Sequence, residues 1–274
     1  MSPIKIKDSP RYVTKLCVPG SSEKMITKAF GLSADQIILD LEDSVLEEDK
    51  TLARKNIAAI AKLDRIPKSI RTNSLHTRHF EDDVAFLKEH AYGFDQIVLP
   101  KIDSREMLDE CICELSPNIA LEVQIETTSG LVNIAEIASH PRITALSFGP
   151  LDFLASVGVP IVSSKLWGEE IHGLLRHAFM QIIIAGHANQ KYVYDGPTVV
   201  LEEQTLITST TIARNLGADG KWLIHPDQIK LCAAIFNEKF ILDIEVSKMQ
   251  SGSAQLSGQM VDMASLRIAK NKEN

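Results

Sequence analysis

The sequence is poor in several features, and each shortage argues against a class of protein. Four cysteines occur in 274 residues, and a single residue separates Cys111 from Cys113, whereas a zinc knuckle has two residues between its paired cysteines. No uncharged apolar run approaches the ~18 residues of a membrane span, and no apolar secretory segment precedes the first strand-like run. We therefore expect a cytoplasmic protein with reduced thiols, and no membrane partner.

Basic residues are fewer than acidic ones. The chain has 29 Lys and Arg against 36 Asp and Glu, a formal net charge of −7, and no dense basic run. Proteins that bind nucleic acid need a basic surface to neutralise phosphates, so nucleic acid is not an expected partner. The hydrophobic fraction of 45% and the charged fraction of 24% are typical of an ordinary globular chain.

Short strand-like runs alternate with longer helix-like runs along the chain. Such alternation is typical of βα units around a parallel sheet, and about eight units predict a closed (β/α)8 TIM barrel. The strand-like runs are residues 15–19, 36–41, 69–73, 96–101, 120–126, 143–149, 191–195 and 221–226. We assign the barrel to residues 1–240 and a C-terminal arm or lid to residues 241–274, where a Ser/Gly hinge precedes a short helical pattern.

Polar side chains concentrate where these predicted strands end. The carboxyl ends of the strands in such a barrel meet at one open mouth, so the side chains that follow them should lie close together. Converging carboxylates repel one another, and Mg²⁺ bound through oxygen ligands relieves that repulsion. An arginine among them could grip a substrate carboxylate or a developing oxyanion, which suits an enolate. The residues concerned are Asp40, Glu42, Asp43, Arg71, Glu126 and Asp152.

The same residues also allow purely structural roles. Glu126 and Asp152 could form buried ion pairs or cap helices, and Arg71 could be a structural partner of the acidic turn. Asp43 and Ser44 could cap the helix that follows them. From the residues alone these alternatives stay open.

Motifs spread over roughly residues 11–270 resemble, in order, those of the citrate lyase beta subunit family, which includes malyl-CoA, citramalyl-CoA and citryl-CoA lyases. The ordered set is specific, although a single motif such as "VLPK" is weak. The motifs are "LCVPGSSEKMITKA", "IILDLEDSVLEEDKTLARKNI", "IRTN", "IVLPKIDS", "QIETTSGLVNIAEIA", "LSFGPLDF", "NLGADGKWLIHPDQI" and "SGQMVDM".

The resemblance implies a (β/α)8 barrel that uses Mg²⁺ to cleave a β-hydroxyacyl thioester into a 2-oxo acid and an acyl thioester through an enolate. Glu126 and Asp152 would be the metal ligands, Glu126 would also contact substrate, and Arg71 would bind substrate and act in catalysis. Asp262, in "SGQMVD", would act as an acid or base in the site of a neighbouring subunit. Three acidic residues would orient metal-bound waters or Arg71: Asp40, Glu42 and Asp43.

The resemblance also implies a homotrimer or hexamer, with the arm of residues 241–274 packing on a neighbouring subunit. The acyl group would be carried by CoA or by acyl carrier protein. Two other functions remain open. One is a pyruvate-dependent class II aldolase that acts on a free hydroxy-oxo acid, and the other is a subunit that is active only in a complex with a carrier protein.

Overall fold

Eight parallel strands close into a barrel in the order in which they occur along the chain, with β1 paired to β8. This closed barrel confirms the (β/α)8 prediction. The computed structural model describes residues 10–61, 66–159, 169–238, 253–256, 259–265 and 267. The strands are β1 (Thr14–Pro19), β2 (Gln36–Asp40), β3 (Lys68–Arg71), β4 (Gln96–Leu99), β5 (Ala120–Ile125), β6 (Ile143–Phe148), β7 (Tyr192–Asp195) and β8 (Gly220–Leu223).

Helices follow the strands and cover the outside of the barrel. Short polar side chains begin several of them: the hydroxyls of Ser22, Ser104 and Thr127 each accept a hydrogen bond from a backbone N–H in the first turn. The helices are α1 (Glu23–Ala29), α2 (Lys50–Ala61), α3 (Arg78–His90), α4 (Arg105–Cys113), α5 (Thr128–Val132), α6 (Ile134–Ala138), α7 (Pro150–Val157), α8 (Glu169–Ala188), α9 (Glu203–Leu216) and α10 (Gln228–Asn237).

Six of the eight barrel strands end earlier than the sequence pattern predicted. β4 ends at Leu99 rather than at Lys101, and β8 ends at Leu223 rather than at Pro226. At β4 the reason is local, because Lys101 has a φ of 52°, which turns the backbone out of the strand. Several polar residues that we expected within strands therefore lie at the start of the loops that follow, at the mouth of the barrel.

Side chains alternate between the two faces of each strand. The outward residues, such as Ile37, Leu99 and Val123, pack with the helices in the main hydrophobic core. Some of the inward residues form a smaller apolar cluster inside the barrel. Its buried members are Ile38, Val98, Ala145, Tyr194 and Trp222.

A buried ion pair lies deeper in the barrel, toward the amino ends of the strands. The ammonium group of Lys15 pairs with the carboxylate of Glu122, and neither side chain is exposed. Lys15 Nζ also donates to Gln96 Oε1 at 3.0 Å and lies 4.2 Å from the centre of the Tyr194 ring. Trp222 Nε1 donates to Glu122 Oε1 at 2.9 Å. Both carboxylate oxygens of Glu122, on β5, therefore have partners inside the barrel.

The chain divides into two compact units, residues 1–236 and 237–274. In the second unit β9 (Ser253–Leu256) and β10 (Gln259–Asp262) pair antiparallel, and residues 263–265 are helical. The expectation of a helical arm is therefore corrected for this part. The sequence contained a signal for a hairpin, since a Ser-Gly pair separates the two strands. The predicted boundary at residue 240 lies outside the described residues, and packing on a neighbouring subunit stays a prediction.

Within the part of the chain that the structure describes, no helix is long and apolar enough to cross a membrane. All four cysteines are free. Cys111 and Cys232 are buried, Cys17 is partly buried and Cys113 is exposed.

Candidate active site

Parallel pairing of β2 with β3 places Asp40 beside Arg71. Arg71 Nε donates to Asp40 Oδ1 at 2.6 Å and Arg71 Nη2 donates to Asp40 Oδ2 at 2.7 Å, a bidentate contact between buried side chains. Asp40 also accepts the backbone N–H groups of Glu42 and Ser44 at 3.0 and 3.1 Å. Burial alone would raise the pKa of Asp40, but Arg71 and these hydrogen bonds lower it to about 2.

Glu42 follows Asp40 around the turn and also faces Arg71. Its Oε2 atom lies 3.0 Å from Arg71 Nη1, and its other oxygen accepts from Lys101 Nζ. Burial raises the pKa of Glu42, with Arg71 acting against that shift and Asp43 adding to it. The structure therefore brings Asp40, Glu42 and Asp43 to the mouth, where each contacts Arg71 or Lys101.

Lys101 connects the acidic turn to the two residues that the sequence marks as metal ligands. Its Nζ atom contacts Glu42, lies 3.0 Å from Asp43 Oδ2 and lies 3.6 Å from Asp152 Oδ1. Its backbone N–H donates to Glu126 Oε1 at 2.8 Å. We did not select Lys101 as a site residue from the sequence, although its place at the end of a predicted strand was the signal that marked the other site residues.

Glu126 is completely buried just beyond the end of β5. One oxygen accepts from the Lys101 backbone, but Oε2 has no hydrogen-bond partner within the described residues. A buried carboxylate oxygen without a partner is costly. Burial, followed by the charge of Glu42, raises the pKa of Glu126 well above its ordinary value, and Asp152 adds to that shift.

Gly149 lets the Glu126 side chain occupy this position. A Cβ atom at residue 149 would lie 2.2 Å from Glu126 Oε2 and 2.5 Å from its Cβ, so only glycine fits there without displacing the carboxylate. The next residue, Pro150, begins α7, which carries Asp152 in its first turn. One short segment therefore shapes the Glu126 pocket and also presents Asp152.

The residues present fit a magnesium ion. Mg²⁺ favours one or two protein carboxylates and completes its octahedral shell with water and substrate oxygens. Glu126 offers an oxygen that no described residue hydrogen-bonds, and the Asp152 side chain is 37% exposed, which leaves it open to water. Among the residues that the structure describes, no three His, Cys, Asp or Glu side chains form an all-protein cage. A site with two carboxylates and open positions matches Mg²⁺ better than it matches structural zinc.

Negative charge at the mouth exceeds the positive charge in direct contact with it. The basic side chains that form ion pairs with these acids in the described part of the chain are Arg71 and Lys101. Five carboxylates lie around them, so a divalent cation would bring the cluster closer to neutrality. These carboxylates are Asp40, Glu42, Asp43, Glu126 and Asp152.

Buried contacts hold the loops that carry these groups. Lys50 Nζ donates to the backbone oxygens of Leu41 and Glu42, each at 2.7 Å, and so fixes the acidic turn. Asp83 Oδ2 accepts from the backbone N–H of Asn73 at 2.7 Å and from its Nδ2 at 2.8 Å, just after Arg71 on the chain. The site is thus held by a second layer of polar contacts.

Asp262 lies in the second unit, at the end of β10, and is exposed. Its Oδ1 atom accepts the backbone N–H groups of Ala264 at 2.8 Å and Ser265 at 3.2 Å. Hydrogen bonds from the backbone of Ser265 and Ala264 lower the pKa of Asp262. Its expected role in the site of a neighbouring subunit stays a prediction.

Comparison with known proteins agrees with the barrel and the motifs. The sequence profile described as HpcH/HpaI aldolase/citrate lyase matches residues 14–226. The chain belongs to this family. A protein of Cereibacter sphaeroides named (3S)-malyl-CoA thioesterase is 32% identical, over 93% of this chain and 88% of that protein. An L-malyl-CoA/beta-methylmalyl-CoA lyase of Rhodobacter capsulatus is 30% identical, over 92% of this chain and 90% of that protein.

Among solved structures, this family member resembles the CitE protein of Mycobacterium tuberculosis in complex with magnesium, acetoacetate and coenzyme A. The two chains are 25% identical, with a TM-score of 0.82 over 96% of this chain and 97% of that one. The expectation of an enzyme of the citrate lyase beta subunit type, a carbon–carbon lyase family, is confirmed.

Proposed function

We propose that the chain is a Mg²⁺-dependent lyase that cleaves a small β-hydroxyacyl-CoA thioester into a 2-oxo acid and an acyl-CoA. The observation that carries the proposal is the Oε2 atom of buried Glu126, which has no hydrogen-bond partner in the described part of the chain and lies in a carboxylate cluster that also holds Arg71. A relative named as a malyl-CoA lyase and a CitE structure that contains magnesium and coenzyme A support it.

Glu126 and Asp152 are the residues that would hold the ion. When bound, Mg²⁺ would supply Lewis-acid polarisation of the oxygens of the fragment that leaves as a 2-oxo acid. Arg71 is held by Asp40 in a fixed orientation, and its positive charge would balance the enolate of the departing acyl fragment.

Two proton transfers complete the cleavage. A mouth carboxylate accepts the hydroxyl proton of the substrate as the carbon–carbon bond breaks, and the bond electrons pass to the acyl fragment as an enolate. Asp262 of a neighbouring subunit, or a water, then returns a proton to the enolate carbon. Asp40, Glu42 and Asp43 hold Arg71 and Lys101 in place during these steps.

Thioester hydrolysis is a second candidate function. The relative at 32% identity is named as a malyl-CoA thioesterase and matches as much of this chain as the lyase relative does. Hydrolysis would release free CoA and a hydroxy acid, whereas the lyase reaction releases a 2-oxo acid and leaves the thioester on the acyl fragment. The products therefore separate the two functions.

The test is an assay of the purified chain with Mg²⁺ and malyl-, citramalyl- or citryl-CoA. We expect equal amounts of 2-oxo acid and acyl-CoA by mass spectrometry, and no product after EDTA treatment. Free thiol without 2-oxo acid would support the thioesterase instead. Turnover of only the free hydroxy-oxo acid would support the aldolase, and turnover only after a carrier subunit is added would support the complex-dependent function.

The proposal includes a cytoplasmic homotrimer or hexamer in which Asp262 acts on a neighbouring subunit. Asp262→Asn should lower kcat by about 10²-fold with little change in KM, because a proton donor is lost while the binding groups remain. Mixed oligomers of Asp262→Asn and Glu126→Gln subunits should regain part of the activity. An unchanged kcat, or no recovery on mixing, would contradict this role in a neighbouring subunit.

A further inference from the structure

We propose that Lys101 is the built-in counter-cation of the metal-free site, and that its ammonium competes with Mg²⁺ for Asp152 and so limits the affinity for the ion. This inference rests on the proposed function, because it takes Glu126 and Asp152 as the metal ligands. It adds a control of metal affinity that the family assignment does not provide.

The two ends of Lys101 contact both proposed ligands. The backbone N–H holds Glu126 Oε1 at 2.8 Å, and Nζ lies 3.6 Å from Asp152 Oδ1. The left-handed backbone at Lys101, with φ 52°, is unusual for a residue with a side chain. One residue thus fixes the orientation of Glu126 and places a positive charge beside Asp152.

The ammonium has a second place to bind. It contacts Glu42 and lies 3.0 Å from Asp43 Oδ2, and the Lys101 side chain is 28% exposed. An ammonium and a divalent cation next to the same carboxylate repel each other at short range. When the ion binds Asp152, the ammonium can therefore stay paired with Glu42 and Asp43, and the loss of its contact with Asp152 opposes metal binding.

The test measures binding of Mg²⁺, and of Mn²⁺ as a paramagnetic substitute, to metal-stripped protein by calorimetry and electron paramagnetic resonance. Lys101→Met removes the charge and keeps the backbone N–H. We expect it to bind the ion about tenfold more tightly than the wild type. It should also unfold at a lower temperature without metal and show a larger rise in Tm with Mg²⁺.

Two matched variants separate the local effect from net charge. Lys101→Arg keeps the positive charge and should bind the ion with an affinity close to that of the wild type. Lys88→Met removes one charge from an exposed pair with Glu114 and should leave metal affinity unchanged. If Lys101→Met does not fold, Lys101→Gln supplies the same loss of charge and is judged by the same binding criterion.

Equal or weaker metal binding by the neutral Lys101 variants would overturn the inference. Glu126→Gln separates this failure from failure of the proposed function. If the wild type does not bind Mg²⁺, or if Glu126→Gln binds it equally well, the metal site itself is wrong. If wild-type binding depends on Glu126 and Lys101→Met leaves it unchanged, only the competition by Lys101 is wrong.

Discussion

Glu122 and Glu126 lie four residues apart, within and just after β5, and both are completely buried, yet their surroundings differ. Glu122 is paired with Lys15 and accepts from Trp222, so both of its oxygens have partners. Glu126 has one partnered oxygen and one that has no partner among the described residues. Burial of a carboxylate is therefore not what marks the candidate site, since the deep ion pair is closed while the mouth is short of positive charge.

Among the substitutions considered, Glu126→Gln should have the largest effect, and the property affected should be activity. The amide can still accept from the Lys101 backbone, but it cannot supply the charge that a metal ligand needs. We expect no detectable Mg²⁺ binding and a fall in turnover of about 10³-fold or more. Calorimetry and a product assay measure these two effects.

Folding should not suffer from the same change, because a buried carboxyl with a raised pKa is replaced by a neutral group of the same shape. The unfolding temperature of the metal-free variant should equal or exceed that of the wild type. A variant that still binds Mg²⁺ and turns over substrate would show that the metal lies elsewhere.

Glu122→Gln is the matched change in the deep ion pair and should have the opposite profile. It leaves Lys15 buried without its carboxylate, which should cost about 3–5 kcal/mol of unfolding free energy. The double variant Lys15→Met with Glu122→Gln should recover much of that loss, because no buried charge remains unpaired. Denaturant unfolding measures the stability of the three variants.

Turnover per folded molecule should be unchanged in that double variant, since Lys15 and Glu122 pair with each other and not with the mouth acids. The amide at residue 122 can still accept from Trp222, whose ring lies 5.6 Å from the Arg71 guanidinium. A large loss of kcat in a well-folded double variant would show that the two clusters are coupled. That result would remove the distinction between a structural and a functional charge cluster.

Asp40→Asn tests a smaller effect at the boundary between structure and site. The folded pKa of Asp40, about 2, is below the ordinary value of 3.8, so its ionised form stabilises the fold above pH ~4. That contribution of about 2 kcal/mol is lost as the pH falls from ~4 to ~2. The stability gap between wild type and Asp40→Asn should shrink over this range, as measured by urea unfolding.

Asp227→Asn is the control for this pH dependence, because the Asp227 side chain is 91% exposed and has no contact with Arg71 among the ion pairs of the described residues. Its stability should follow the wild type at every pH. An Asp40→Asn gap that stays constant from pH 4 to pH 2 would contradict the role assigned to the Arg71 contact.

The barrel and the position of its mouth could be predicted because they depend on short-range patterns. Apolar runs such as those of β2 and β4 specify strands, and polar residues directly after them specify the open end. The structure accordingly brings Asp40, Arg71 and Glu126 to one mouth, as the pattern indicated.

Pairings that depend on the closed barrel could not be predicted in the same way. Lys15 and Glu122 are 107 positions apart and meet only because β1 and β5 face each other across the interior. The contacts of Lys101 depend on its left-handed backbone conformation, which a lysine in a sequence does not predict. We expected a Ser/Gly hinge and a short helical pattern in the region where β9 and β10 form, because a Ser-Gly pair suits a flexible hinge as well as the tight turn of a hairpin.

Gly149 gives the site a geometric limit. Because even a methyl group there would overlap Glu126 Oε2, the wall of the pocket at this point is bare backbone. Enlarging or reshaping the pocket by substitution therefore cannot start at residue 149. Variation that reshapes the pocket must come from other residues around the mouth, while this position leaves room for the Glu126 carboxylate beside the start of α7.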